Sequence, residues 1–234
     1  MDQLPIIFFP GINGDARIFS EQARVFPTLR IAHWLPPVKS ESMATYAKRM
    51  ARNIDPGCPC LIGGASFGGI VALEAAHYLQ AKTCLLFASS RDVQGLPAGL
   101  RMARRLSKLL SAETVWRLMM LGQEAAIATT PSARSRRKRL SSDQRQFRDW
   151  ALSALLSWKS SDAACPIMQM HGSEDNVFDV RRTRAETIIA GAGHVLTRTH
   201  YEEVNQFIVS ALERSYSSDL GVITGLQTSR YHHE

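Results

Sequence analysis

Gly64-Ala65-Ser66-Phe67-Gly68 sets one serine between two glycines. The apolar run from Cys58 to Ile62 precedes it. Ile70, Leu73 and His77 follow at helical spacing, with Ala72, Ala75 and Ala76 as helix formers. A strand, a tight turn and a helix therefore meet at Ser66 and lift its hydroxyl clear of the chain. The neighbours must be small, because so sharp a turn leaves little room for Cβ groups. The helix that starts there aims its first N–H groups at developing negative charge. The chemistry on offer is nucleophilic attack on a carbonyl.

A serine hydroxyl is a poor nucleophile until a base takes its proton, and the base needs a group that fixes its tautomer. Ser66, Asp175 and His194 supply these in chain order. His194 follows an apolar stretch and the turn Gly191-Ala192-Gly193, which leaves its ring free to point across a sheet. His171 is expected to pack under the acid loop; His33, His77 and His200 fall on the wrong elements. For the acid, Asp175 competes with Asp92 after an earlier strand and with Glu174 and Asp179 beside it. An oxyanion needs two N–H donors. Phe67, just after the serine, is one, and the Gly11-Ile12-Asn13 loop supplies the other at Ile12, since Pro10 has no N–H.

These groups need a scaffold that brings distant segments together. Short apolar runs at Pro5–Phe9, Arg30–Leu35, Cys58–Ile62, Thr83–Phe87, Pro166–Met170 and Thr187–Ala190 alternate with helical patterns. The helices are expected at Glu21–Val25 behind Ser20, at Ser40–Ile54, after the serine, and at the end behind Thr199. That alternation predicts an α/β fold, a mostly parallel six-stranded sheet with helices on both faces. In such sheets reactive groups gather at the carboxyl ends of strands, where the Gly11–Ile12 loop, Ser66, Asp175 and His194 all fall. Residues 97–160 carry helical signals only, over Leu100–Leu110, Val115–Ala128 and Gln144–Trp158. The division expected is a core of 1–96 and 161–214, a small helical cap at 97–160, and a flexible tail at 215–234.

The net charge of +7 is concentrated in the middle segment, where residues 97–160 hold 13 Lys and Arg against 4 Asp and Glu. Arg134, Arg136, Arg137, Lys138 and Arg139 form its most basic run. That run is a solvated loop or a dock for an anionic group; nucleic acid is disfavoured, because no aromatic residue interleaves with the charges. No apolar run reaches the ~18 residues of a membrane span. Cys58, Cys60, Cys84 and Cys165 lack the spacing of zinc or redox sites and suit a reduced cytoplasmic interior. No metal is expected, and His232-His233 has no third ligand near it.

Gly64-Ala65-Ser66-Phe67-Gly68, His171-Gly172-x-x-Asp175 and Gly191-x-Gly193-His194 together resemble the α/β-hydrolase superfamily. Phe9-Pro10-Gly11-Ile12-Asn13-Gly14 is similar to the PGLDGTG loop of an esterase- and thioesterase-like group within it. The resemblance spans residues 4 to about 213 and implies a reduced form of that fold. It also implies Ser66 as nucleophile, His194 as base, Asp175 as acid, an acyl-enzyme intermediate and no cofactor. Its cap would roof the serine, making Trp116, Leu118, Met119, Leu121 and Trp158 candidates for the substrate pocket. Ala65 stands where His or Glu is commoner in the family. The expected activity is hydrolysis of a carboxylic ester. The alternatives are an acyl-CoA or carrier thioesterase, and a non-catalytic binding module.

Overall fold

The computed structural model describes residues 4–107, 114, 141–160 and 162–228. Six strands form one sheet: β1 (Ile6–Phe9), β2 (Leu29–Ile31), β3 (Cys60–Ala65), β4 (Ala81–Phe87), β5 (Ile167–Gly172) and β6 (Thr187–Ile189). Their order is β2-β1-β3-β4-β5-β6, and every pairing is parallel. Parallel neighbours need crossover connections, which cover both faces of the sheet. This explains the continuous apolar run of β1. Ile7 and Phe9 enter the core on one face, and Ile6 and Phe8 enter the core on the other.

The first face carries α2 (Met43–Ile54), α3 (Phe67–Ala75), α4 (Ala98–Leu106) and α5 (Ser142–Ser157). In α2 the inward residues Met43, Tyr46, Ala47, Met50 and Ala51 follow the helical period, and the Ser42 hydroxyl accepts from the Thr45 N–H to cap its start. All nine residues of α3 are buried, as expected of a helix apolar on every side. A capping box of Ser141 and Gln144 opens α5. The opposite face carries α1 (Ser20–Val25), α6 (Leu196–Thr199) and α7 (Tyr201–Thr228). Full burial of a Phe or Ile side chain contributes roughly 2 kcal/mol, so residues such as Phe8, Phe87 and Ile62 dominate the stability of this frame.

Four local expectations are corrected. The second strand ends at Ile31 rather than Leu35: Ala32 N–H still donates to Phe8 O at 2.8 Å, but the chain then leaves the sheet. Ser20 does not cap its helix; Asp15 caps the preceding 3-10 turn Ala16–Phe19 by accepting from Arg17 N–H. Thr199 ends α6 rather than capping the last helix. That last helix also runs well past residue 214. Ser215 is 4% exposed and its hydroxyl lies 3.2 Å from Thr83 Oγ1, while Leu4 N–H donates to the Tyr216 hydroxyl at 2.9 Å. Ser215 and Tyr216, read as part of a loose tail, thus have hydroxyl partners on β4 and at Leu4.

The described parts of the 97–160 segment are α4 and α5, and both contribute to the main core through Leu100, Ala103, Phe147, Ala151, Ala154 and Leu155. Arg104 joins them. Its guanidinium donates to Leu155 O, Leu156 O and Trp158 O at 2.5, 2.7 and 2.6 Å, filling the acceptors left at the end of α5. The helix expected at Val115–Ala128 and the basic run Arg134–Arg139 lie outside the described residues.

Candidate active site

The strand order reverses between β1 and β3, since the connections after β1 and after β3 step to opposite edges. Such a reversal leaves a crevice at the carboxyl ends of the two strands. Gly11-Ile12 lies at one lip and Ser66 at the other. Ser66 has φ 55° and ψ −123°, a conformation rare outside glycine. Close packing enforces it. A Cβ on Gly68 would sit 2.2 Å from both Phe9 O and Pro10 O, and one on Gly64 would sit 2.5 Å from the Gly68 carbonyl. The glycines therefore let α3 start directly against the end of β1.

His194 reaches the serine from the turn after β6, with Nε2 3.0 Å from Ser66 Oγ. Its Nδ1 lies 3.0 and 3.2 Å from the two Asp175 oxygens. An ionised carboxylate only accepts, so Nδ1 carries the proton and Nε2 is left to accept from the serine hydroxyl. The Phe178 ring stacks on the imidazole at 5.7 Å and 17°. Burial alone would push the Asp175 carboxyl up, but hydrogen bonds from histidine and from Phe178 N–H hold it well below the ordinary carboxylate range. Val177 N–H also donates to it, at 2.8 Å. His171 also faces this carboxylate, with Nδ1 3.5 Å from Asp175 Oδ2, beyond hydrogen-bond geometry.

His171 instead supports the site from beneath. It is fully buried, and its Nε2 donates to Ser89 O at 2.8 Å. Ser89 in turn donates through Oγ to Ser66 O at 2.6 Å. The end of β4 thus braces both the serine turn and the acid strand. In the sequence, Ser89 stands out only by its place in Ala88-Ser89-Ser90 at a strand end; in the fold, its neighbour Ala88 has φ 44°. The rival acids are engaged elsewhere. Asp92 pairs with Arg184 at 3.0 Å, Asp179 pairs with Arg181 at 2.9 Å, and Glu174 is exposed.

The N–H of Phe67 starts α3 and has no intrahelical partner. Among the described residues neither it nor the Ile12 N–H finds an acceptor. Ile12 sits in a turn closed by Gly14 N–H to Gly11 O at 2.9 Å. Ile12 also lines a cleft of about 470 Å³, whose walls include Trp34, Leu35, Pro36, Pro37 and Phe147. Of the residues expected to line a pocket, Trp158 is instead in the core, 3% exposed, with its indole N–H on Glu74 Oε1 at 2.8 Å. A buried carboxylate on α3 fixed its direction. Trp116, Leu118, Met119 and Leu121 lie outside the described residues. The cleft walls that sequence reading missed, Trp34 and Phe147, are carried by the loop after β2 and by α5.

The arrangement can take the proton of a serine and hold the resulting imidazolium against a carboxylate. The fold agrees with the comparisons. Residues 6–207 match the family model described as alpha/beta hydrolase family, and the chain belongs to that family. Among solved structures, the chain is similar to ClbQ from the colibactin NRPS/PKS pathway, with TM-score 0.65 and 17% identity over 93% of this chain and 100% of that one. It is similar to a thermophilic esterase from Thermogutta terrifontis, with TM-score 0.61 and 17% identity over 91% and 90% of the two chains. It is also similar to the NocB thioesterase domain, with TM-score 0.56 and 19% identity over 89% and 95%. These identities establish a shared fold. No curated protein sequence matched the chain. Among the described residues no helix is long and apolar enough to cross a membrane.

Proposed function

We propose that this member of the hydrolase family is a serine esterase that works through an acyl-enzyme. Ser66 Oγ attacks the carbonyl carbon of a carboxylic ester as His194 Nε2 takes its proton. The oxyanion is held by the N–H groups of Ile12 and Phe67. His194 then passes the proton to the leaving alcohol, and the Ser66 ester remains. Water, deprotonated by His194, attacks that ester and releases the acid. Asp175 keeps His194 in the working tautomer throughout. The observation that carries this reading is the continuous row Ser66 Oγ, His194 Nε2, His194 Nδ1 and Asp175, with contacts of 3.0 Å at both junctions. The proposal places the enzyme in the cytoplasm, from its cysteine pattern. A fluorophosphonate probe should label Ser66 and abolish turnover of aryl esters, with Ser66→Ala unlabelled and inactive. Folded protein that resists the probe and turns over no ester would sink the reading.

A second reading is a thioesterase, favoured by the cationic excess of residues 97–160, which suits a phosphorylated carrier. It requires acyl-CoA hydrolysis that weakens when Arg136 and Arg137 become Ala. Rates indifferent to that change and to salt would count against it.

A further inference from the structure

One side chain of the cleft touches more of the reacting apparatus than any sequence pattern suggested. Trp34 lies just beyond the end of β2, after the chain has left the sheet. Its indole Nε1–H donates to Gly11 O at 3.0 Å. Gly11 O is the same carbonyl that accepts from Gly14 N–H to close the turn bearing Ile12. One carbonyl thus carries two donors, one from within the turn and one from outside it. Trp34 also limits the turn sterically, since a Cβ on Gly14 would sit 3.1 Å from its Cδ1, and Gly14 has φ 68°.

The ring itself has little freedom. It stacks on Phe9 at 5.8 Å and 18° and on Phe147 at 5.3 Å and 22°, and meets the edge of Phe67 at 5.6 Å and 67°. Phe9 ends β1, Phe67 follows the serine, and Phe147 belongs to α5. Offset and edge-on aromatic contacts of this kind add to area burial and are directional. Trp34 is therefore gripped by the elements that carry both proposed oxyanion donors, and its one polar atom is placed on the loop that bears Ile12.

We propose that Trp34 is a positioning residue for the hydrolysis inferred above: its indole N–H anchors Gly11 O and so sets the Ile12 N–H where the oxyanion forms, while its ring walls a cleft for an uncharged apolar group of the substrate. The charge of the cleft supports the second half. Its described lining contains no Lys or Arg, and Asp143 is its charged group, so a carboxylate or phosphate would meet repulsion there. Ile12, Leu35, Pro36, Pro37 and Phe147 join the Trp34 ring as its apolar side, while Asn13, His33, Gln144 and Gln146 line the rest.

This inference rests on the esterase reading, and the experiment separates the two. Trp34→Phe keeps a ring and removes the N–H. With an uncharged p-nitrophenyl ester of medium acyl length, kcat should fall about tenfold, less than the loss of a whole oxyanion donor, while KM stays within about twofold. An alkyl boronic acid, which forms a tetrahedral adduct on serine, should lose affinity by the same factor as kcat. Amide hydrogen exchange at Gly14, measured without substrate, should quicken as the turn loosens. Trp34→Ala should in addition raise KM for that ester, because the wall is gone. Unchanged kcat and unchanged Gly14 exchange in Trp34→Phe would overturn the anchoring role while leaving the esterase reading standing. A rise in KM alone would do the same. Wild-type protein inert to every ester and to fluorophosphonate would overturn both.

Discussion

At the scale of single residues, the serine turn stores strain where chemistry is proposed. Ser66 takes a backbone conformation that glycine reaches with ease and other residues reach at a cost of about 1–3 kcal/mol. Side chain and strain can be separated by comparing two inactive variants. Ser66→Gly should be more stable than Ser66→Ala by about 1 kcal/mol, read as a higher midpoint in urea with an unchanged slope. Equal midpoints would mean that the surroundings do not hold the strained geometry. The three residues proposed to react, which the fold brings into one row, were legible in the sequence because each depends on a short local pattern: glycines around Ser66, and a turn after a strand for Asp175 and His194. Trp34 and Ser89 were not legible in this way, and His171 was legible only as a residue packed under the acid loop. Each acts through one tertiary contact, to Gly11, Ser66 or Ser89, and no local pattern encodes the identity of a partner 23 or 82 residues away.

At the scale of elements, the join between α4 and α5 depends on one cation. Arg104 satisfies three carbonyls that end α5, and burial lowers its own tendency to hold a proton without approaching neutrality at physiological pH. Arg104→Met keeps most of the stem and removes the donors. It should destabilise the protein by about 2 kcal/mol, a figure set by charged hydrogen bonds that remain partly open to solvent. A calorimetric shift near zero would show that water replaces the guanidinium freely. Six of the described helices could be assigned from period and caps, and the errors at their starts have a common origin. Ser20 and Thr199 are good capping residues in isolation, but a preceding 3-10 turn and a short extra helix shifted the actual helix starts. Trp158 illustrates the other limit. An indole on an amphipathic helix can face a cleft or a core, and only its buried partner Glu74 decides which.

At the scale of the whole molecule, the parallel six-stranded sheet was implied by alternation of strands and helices, while its order, and with it the crevice between β1 and β3, emerges only in the fold. Sequence alone did not reveal that the described helices of the middle segment would be part of the main core rather than a separate layer. The order of strands also carries a kinetic consequence. Every pairing in the sheet is between parallel strands and therefore closes a long loop, with Ile6 against Leu61 and Phe87 against Met170 as examples. Such contacts form late, after helices that need only local bonds. The site draws on the ends of β1, β3, β4, β5 and the turn after β6, so it exists only when the slowest loops have closed. During refolding from urea, helical circular dichroism should therefore return before reactivity toward a fluorophosphonate does. Simultaneous recovery of the two signals would show that the strand pairings are already made when the helices form. Because the reactive serine is assembled by the last contacts of the fold, an incompletely folded chain carries the residues of a hydrolase without its reactivity.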